Sequence, residues 1–177
     1  MLETQRLLIR KFLVNDYNDL YEYLSLDSTY IYEPGTPISL ETTKLMVLKR
    51  SRENNFFAVE LKSEKKVIGH IYFQQLEPRE LMTWEIGYIF NPNYHRLGYA
   101  TESSKELILY GFNNLNIHRI IGRCNPKNKA SWKVLEKLGM KREGRFRENI
   151  FFKKDKNNQP IWTDTYEYAI LSRDIIS

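Results

Sequence analysis

The residues best suited to chemistry fall in two short polar stretches. The first, HRLGYAT at 95–101, lies between the β-rich run EIGYIF and the helical run ESSKELILYGF. A helix start leaves backbone N–H groups unpaired and carries the positive end of the helix dipole, so an anion is stabilised there without a dedicated side chain. Gly98 and Ala100 keep this turn free of bulk, which lets a diphosphate approach the main chain. Arg96 offers a charged contact beside it. The stretch lacks the lysine–serine ending of a P-loop and the first glycine of a dinucleotide fingerprint. A glycine placed for turn geometry alone accounts for it equally well.

The second stretch is NPKNKAS at 125–131, which opens another helix. Asn128 and Ser131 are three apart and share a helical face. Asn and Ser are common helix caps. Asn125 is expected to be the cap, leaving Asn128 and Ser131 to face a ligand: an amide for an amide-bearing arm, and a hydroxyl beside a leaving group.

The surrounding elements must hold these two helix starts. RLLIRKF reads as a first strand. A helix follows in NDYNDLYEYLSL, with Asn15 or Asp16 at its start, and a second in SLETTKLMVLKRSREN, with Leu45 and Leu48 on its apolar face. FFAVELK and KVIGHIYFQQL form a hairpin around SEKK, and LMTWEIGYIF is the next strand. A helix from about 100 to 114, the strand HRIIGRC, a helix ending at the glycine of EKLG, and two last strands around KKDKNNQ complete the order. This predicts one α/β domain over 1–177, a mixed twisted sheet of about six to seven strands with helices on both faces.

Hydrophobic residues make up 42% of the 177 and charged residues 28%, a globular balance able to bury a core without staples. No apolar run approaches the ~20 residues a bilayer crossing needs. MLETQRLLIRKF is too charged for a secretion signal, and Cys124 is the single cysteine, so a reducing cytoplasmic location is expected. Three histidines at 70, 95 and 118 show no metal-ligand spacing, and no metal is expected. The net charge of +5 suits a phosphate-rich ligand or nucleic acid. The basic residues are dispersed, with no arginine-rich tract, which argues against direct RNA binding.

EIGYIFNPNYHRLGYATES followed by NPKNKASWKVLEKLGMKREG is similar to the GNAT acetyltransferases, and with LETQRLLIRKF it resembles the branch containing the ribosomal-protein N-terminal acetyltransferases. The resemblance spans nearly the whole chain. It implies acetyl-CoA as co-substrate and a sheet whose central strands splay to admit it. The family's Arg/Gln-x-x-Gly-x-Gly/Ala turn falls on His95 to Ala100. Gly98 and Ala100 match it, and His95 departs from it. The resemblance places the diphosphate on His95, Arg96, Leu97, Gly98, Tyr99, Ala100 and Thr101. It places the pantetheine arm along Tyr88, Ile89 and Phe90 and against Asn128, and the thioester sulfur near Ser131.

Acetyl transfer to an amine requires removal of a proton, a polarised carbonyl and a stabilised thiolate. Glu85, on the strand leading to the turn, is the candidate base, and Ser131 the candidate donor to the thiolate. Alternation puts Glu85, Gly87 and Ile89 on one face and Trp84, Ile86 and Tyr88 on the other. A solvated or ion-paired Glu85 is the structural alternative. Glu33, Asp27 and Glu85 suit a cationic acceptor, either a protein N-terminus or a small amine. Cys124 and His118 are expected to be structural, His70 a satisfied histidine, and Trp132 either helix packing or a wall of the site. A non-catalytic acyl-CoA-binding module and a ribosome-associated protein are the rival readings. A homodimer is compatible with the resemblance.

Overall fold

The computed structural model describes residues 1–175. Eight strands form one sheet: β1 (Leu2–Glu3), β2 (Leu7–Arg10), β3 (Phe56–Leu61), β4 (Lys66–Gln75), β5 (Thr83–Phe90), β6 (Arg119–Cys124), β7 (Lys141–Ile150) and β8 (Thr163–Leu171). Their order across the sheet is β1-β2-β3-β4-β5-β6-β8-β7. All neighbours are antiparallel except β5 and β6. Four helices complete the domain: α1 (Tyr17–Leu24), α2 (Leu40–Arg50), α3 (Tyr99–Asn114) and α4 (Lys129–Lys137). The sheet has one strand more than the six to seven expected. The addition is β1, two residues that pair Leu2 with Ile9 and Glu3 with Leu8. A strand so short has no periodicity to read.

The helices divide between the two faces. Leu107 and Ile108 of α3 and Leu135 of α4 pack with Val59, Phe73, Ile86 and Ile120 of the sheet. Leu20, Tyr23 and Leu24 of α1 and Val47 of α2 pack with Ala58 and Val67 on the opposite face. Each fully buried aliphatic side chain of this kind contributes about 1.5–3 kcal/mol. α2 presents a narrower face than its leucines suggest. Thr43 and Val47 are buried, while Leu45 is 70% exposed and Leu48 36%. The expectation for Leu45 and Leu48 is therefore corrected: α2 rests on α1, not squarely on the sheet, so less of its girth is covered.

Arg10 at the end of β2 fixes the start of α1. Its guanidinium donates to both Asp16 oxygens at 2.8 and 2.9 Å and to Glu60 at 2.7 Å. The loop from α1 to α2 is then pinned by Tyr30, whose hydroxyl donates to the Leu24 carbonyl at 3.0 Å, and by the Ile38 amide, which bonds the same carbonyl at 3.0 Å. This loop carries Tyr32 and Glu33.

Candidate active site

The parallel pairing of β5 with β6 is brief. It runs Thr83–Arg119, Trp84–Ile120 and Glu85–Ile121, and stops there. Beyond it β5 remains bonded to β4 as far as Phe90, and β6 to β8 as far as Cys124. The two strands thus part, and the main chain of β5 around Tyr88, beyond the last bridge to β6 and before Phe90, faces the gap. Backbone amides and carbonyls left open beside a cleft are ready to receive an extended, amide-bearing chain as an added strand.

The gap leads to the start of α3. Gly98 has φ +85° and Arg96 φ +63°, so the turn uses two left-handed residues in three. A Cβ at Gly98 meets only the Arg6 Nη2 atom, at 3.5 Å. The first helical bond is donated by the Glu102 amide to the Gly98 carbonyl, at 2.9 Å. Among the described residues, no protein acceptor takes the amides of residues 96 to 101. The main chain is therefore bare where the sequence required it, with donors directed outward at the positive end of a 16-residue helix. Arg6 is a participant the sequence did not disclose. It donates to the Leu97 carbonyl at 3.1 Å, pairs with Glu102 at 2.6 Å and stacks on Tyr99 at 4.4 Å. It braces the turn from the bend before β2, more than ninety residues away.

His95 does not stand apart as a free side chain. Its Nε2 lies 2.9 Å from the Phe90 carbonyl, so that nitrogen carries the proton and donates to the strand end. Arg96 and Leu97 are exposed, and Tyr99, Ala100 and Thr101 are half-buried in the first turn.

At the opposite wall, Asn128 is the N-cap of α4. Its Oδ1 accepts from the Ser131 amide at 3.2 Å, while Asn125 Oδ1 accepts from the Lys127 amide at 2.9 Å, outside the helix. The assignment of the cap to Asn125 is thus corrected. Two asparagines three apart have the same capping chemistry, and the helix begins only at Lys129, which makes Asn128 the residue before it. The Asn128 Nδ2 group remains for a ligand, since capping uses only its oxygen. Ser131 keeps its hydroxyl free of capping. That hydroxyl lies 3.4 Å from the Tyr88 hydroxyl, which itself donates to the Ser131 carbonyl at 2.8 Å. Burial holds the Tyr88 phenol well above its ordinary range, so it stays protonated. Trp132 packs against the α3/α4 side of the core.

On the other face of the sheet, a cleft of about 420 Å³ opens beside the parted strands. Tyr32 and Glu33 line it from the α1–α2 loop, Glu85 from β5, and Arg123 and Cys124 from β6. Phe146, Phe152 and Asp164 close its far side. Alternation along β5 holds: Glu85 faces this cleft, and Tyr88 faces α4. Burial raises the Glu85 pKa against the pull of Arg123, whose Nη1 is 3.5 Å away. Arg123 also pairs with Glu167 at 2.8 Å. Cys124 is buried, as a filler would be, yet it lines the cleft where the strands part. Its thiol is pushed up to about 12, by burial first and the nearby Glu33 charge second, so it is not a nucleophile at neutral pH. His70 lies away from the cleft, buried, with Nδ1 2.8 Å from the Tyr23 hydroxyl.

A parted central strand pair, a bare helix start on one side and an amine-sized cleft on the other define an acyl-CoA-dependent transferase. The sequence profile of the Acetyltransferase (GNAT) domain matches residues 6–141, and the chain belongs to that family. An uncharacterized N-acetyltransferase, YnaD, from Bacillus subtilis (strain 168) is 41% identical over 174 residues, covering 98% of each chain. A crystal structure of a GNAT-family acetyltransferase from Bacillus anthracis superimposes with a TM-score of 0.88 at 38% identity, over 97% of this chain and 98% of that one. The [Ribosomal protein uS5]-alanine N-acetyltransferase of Escherichia coli (strain K12) is 24% identical over 81% of this chain and 79% of its own. The protein is an acetyl-CoA-dependent N-acetyltransferase. No helix among the described residues is long and apolar enough to cross a membrane.

Proposed function

We propose that the protein moves an acetyl group from acetyl-CoA directly to a primary amine while both are bound. The acceptor is either a protein N-terminal α-amine or the amine of a small molecule. The observation that carries this reading is the unpaired run of amides from 96 to 101, set at one end of the gap between β5 and β6. The amides of this turn hold the diphosphate, with Arg6 and Arg96 adding positive charge nearby. The open main chain at Tyr88 and the Asn128 amide hold the pantetheine arm.

With the arm in the gap, the thioester lies between the Ser131 hydroxyl and the acceptor cleft. A β5 amide polarises its carbonyl. Ser131 then donates a hydrogen bond to the leaving sulfur, and proton transfer is not required, because a thiolate leaves readily at neutral pH. Acidic groups of the cleft, Glu33 and Glu85 among them, attract the cationic acceptor, and a carboxylate of the cleft relieves it of a proton. An α-amine, with a pKa of ~7.7–8.0, needs little help, and a lysine-type amine at ~10.4 needs more.

The test is to mix the protein with acetyl-CoA and a panel of N-terminal peptides and small amines and to follow thiol release. Release above the rate of hydrolysis with at least one amine supports the reading. Tight acetyl-CoA binding without acceptor-dependent release from any member of the panel would leave a binding module instead.

A further inference from the structure

We propose that Glu33, carried by the α1–α2 loop, takes the proton from the incoming amine, and that Glu85 holds the amine in place. This rests on the transfer reading above and assigns the chemistry within the same cleft. Three carboxylates line that cleft, Glu33, Glu85 and Asp164, and their surroundings differ. Glu85 is tied to Arg123 at 3.5 Å, and Arg123 is shared with Glu167. Among the described residues Glu33 has no ion pair and no hydrogen bond from another side chain. Glu33 and Glu85 also address different neighbours. The charge on Glu33 raises both the Cys124 thiol and the Tyr88 phenol, the groups where the strands part. The charge on Glu85 raises Tyr72, one strand further from the gap.

A base needs a lone pair that no cation engages, and a proton affinity near the working pH. Glu33 meets both conditions, since burial pushes its carboxyl up to about 7. The other charged or titratable groups facing it are Tyr32 on its own loop, Glu85 and Tyr88 on β5, Arg123 and Cys124 on β6, and Asp164 on β8. Asp164 is bound by the Glu148 amide at 2.9 Å and by Arg145 at 2.6 Å, and so is not available as a base. In the step assigned here the Glu33 carboxylate accepts one N–H proton from the bound ammonium. The freed lone pair forms the N–C bond, the C–S bond breaks, and the electron pair leaves on sulfur. The second proton departs from the product nitrogen to water, and Glu33 later returns its own proton to solvent.

The experiment compares the wild type with Glu33→Gln and Glu85→Gln, using an amine of pKa above 9 so that the acceptor does not itself titrate near neutrality. The wild-type kcat/KM should fall on the acid side of an inflection near pH 7. Glu33→Gln should lose that inflection and about 100-fold in kcat/KM at pH 7.5, the low end for removal of a general base. Its affinity for acetyl-CoA should be unchanged, which confirms an intact fold. Formate should restore part of the activity of Glu33→Ala. Glu85→Gln should raise KM several-fold and retain the inflection. The assignment is overturned if Glu33→Gln stays within threefold of wild type or keeps the inflection, or if Glu85→Gln abolishes it. Absence of amine-dependent thiol release from the wild type is a different result: it removes the transfer reading, and this assignment with it.

Discussion

Replacing Gly98 by alanine separates the fold from the phosphate grip. Gly98 sits at φ +85°, where a Cβ costs about 1–2 kcal/mol in backbone strain. The surroundings add little, because that Cβ meets only the flexible end of Arg6 at 3.5 Å, an ordinary contact. A domain of this size loses about 2–4 °C of Tm per kcal/mol, so Gly98→Ala should melt about 2–8 °C lower. A protein that much less stable is still folded at 25 °C. The loss of ligand affinity should be larger and should have a separate origin. A turn strained by the added methyl should carry the bare amides of residues 96–101 out of position for the phosphates. Displacing a phosphate from one such charge-assisted bond loses about 1.5–3 kcal/mol, or roughly 10- to 150-fold in Kd. The assay is a calorimetric titration of wild type and variant with coenzyme A and with acetylpantetheine, which lacks the diphosphate. The reasoning requires weakening for coenzyme A alone. Equal weakening for both ligands, or none for either, would refute it, as the turn would then serve shape and not phosphate.

Further expectations concern other parts of the same structure. Asn128→Ala should cost about 1 kcal/mol through loss of the α4 cap, read as a lower Tm, whereas Ser131→Ala should leave Tm within a degree or two, because the cap uses only the Ser131 amide. Ser131→Ala should instead lower kcat, by roughly tenfold for loss of a hydrogen bond to the leaving sulfur. Gly69→Ala should destabilise the domain by about 2 kcal/mol or more in urea denaturation, since its Cβ falls 2.5 Å from the Phe90 ring and 2.8 Å from the Ile89 carbonyl. Burial holds His70 uncharged in the folded state, well below its usual pKa, so the unfolded chain binds the extra proton. Stability from this group is therefore present above pH ~6.5 and lost as pH falls below it, by up to ~1.4 kcal/mol per unit. His70→Gln should flatten the urea-derived stability profile between pH 6.5 and 5, and an unchanged slope would contradict the assignment. Glu33 has the opposite sign: its folded pKa is raised, so it detracts from stability increasingly as pH rises from about 4.5 to about 7, and by a constant amount above that. Glu33→Gln should then stabilise the protein at pH 8 by about 1–2 kcal/mol, allowing for partial exposure, and not at pH 4.

The order of strands and helices was legible because glycine, proline and asparagine clusters interrupt runs whose side-chain types differ sharply. The turn at Gly98 was legible for a related reason: a left-handed helix start demands glycine, and few roles combine that with a small residue two positions on. What escaped reading depends on distance along the chain or on choices between equal chemistries. Arg6 reaches Leu97 and Glu102 only because β2 and α3 are brought together by the sheet and its crossover. Asn125 and Asn128 are interchangeable as caps until the first turn of α4 chooses between them. Leu45 and Leu48 have helical spacing, yet spacing cannot state how wide a face the neighbour covers. Glu33 was visible as one acid among several near the acceptor. Its isolation from any cation follows from Arg123 being held by Glu85 and Glu167, which no local pattern records.

That isolation bears on why the early part of the chain should set the acceptor. On the proposed reading, the cofactor side is built from main chain, a cap and one hydroxyl, on elements packed into the α3/α4 core. The acceptor side is built from a loop pinned at Leu24 and from the β7–β8 hairpin, whose Phe146, Phe151, Phe152 and Trp162 remain between 37% and 49% exposed. A rigid half fixes the thioester. A half made of loop and exposed aromatic surface can change its lining without disturbing that geometry. With the proton acceptor on the loop, and not on β5, deprotonation depends on the amine being seated against that loop. Substitutions at Tyr32, Phe146 and Phe152 should accordingly change which amine is used while leaving acetyl-CoA affinity within about twofold, a result read by isothermal titration beside the acceptor panel. A loss of acetyl-CoA affinity comparable to the loss of acceptor turnover would show that the two halves are not independent.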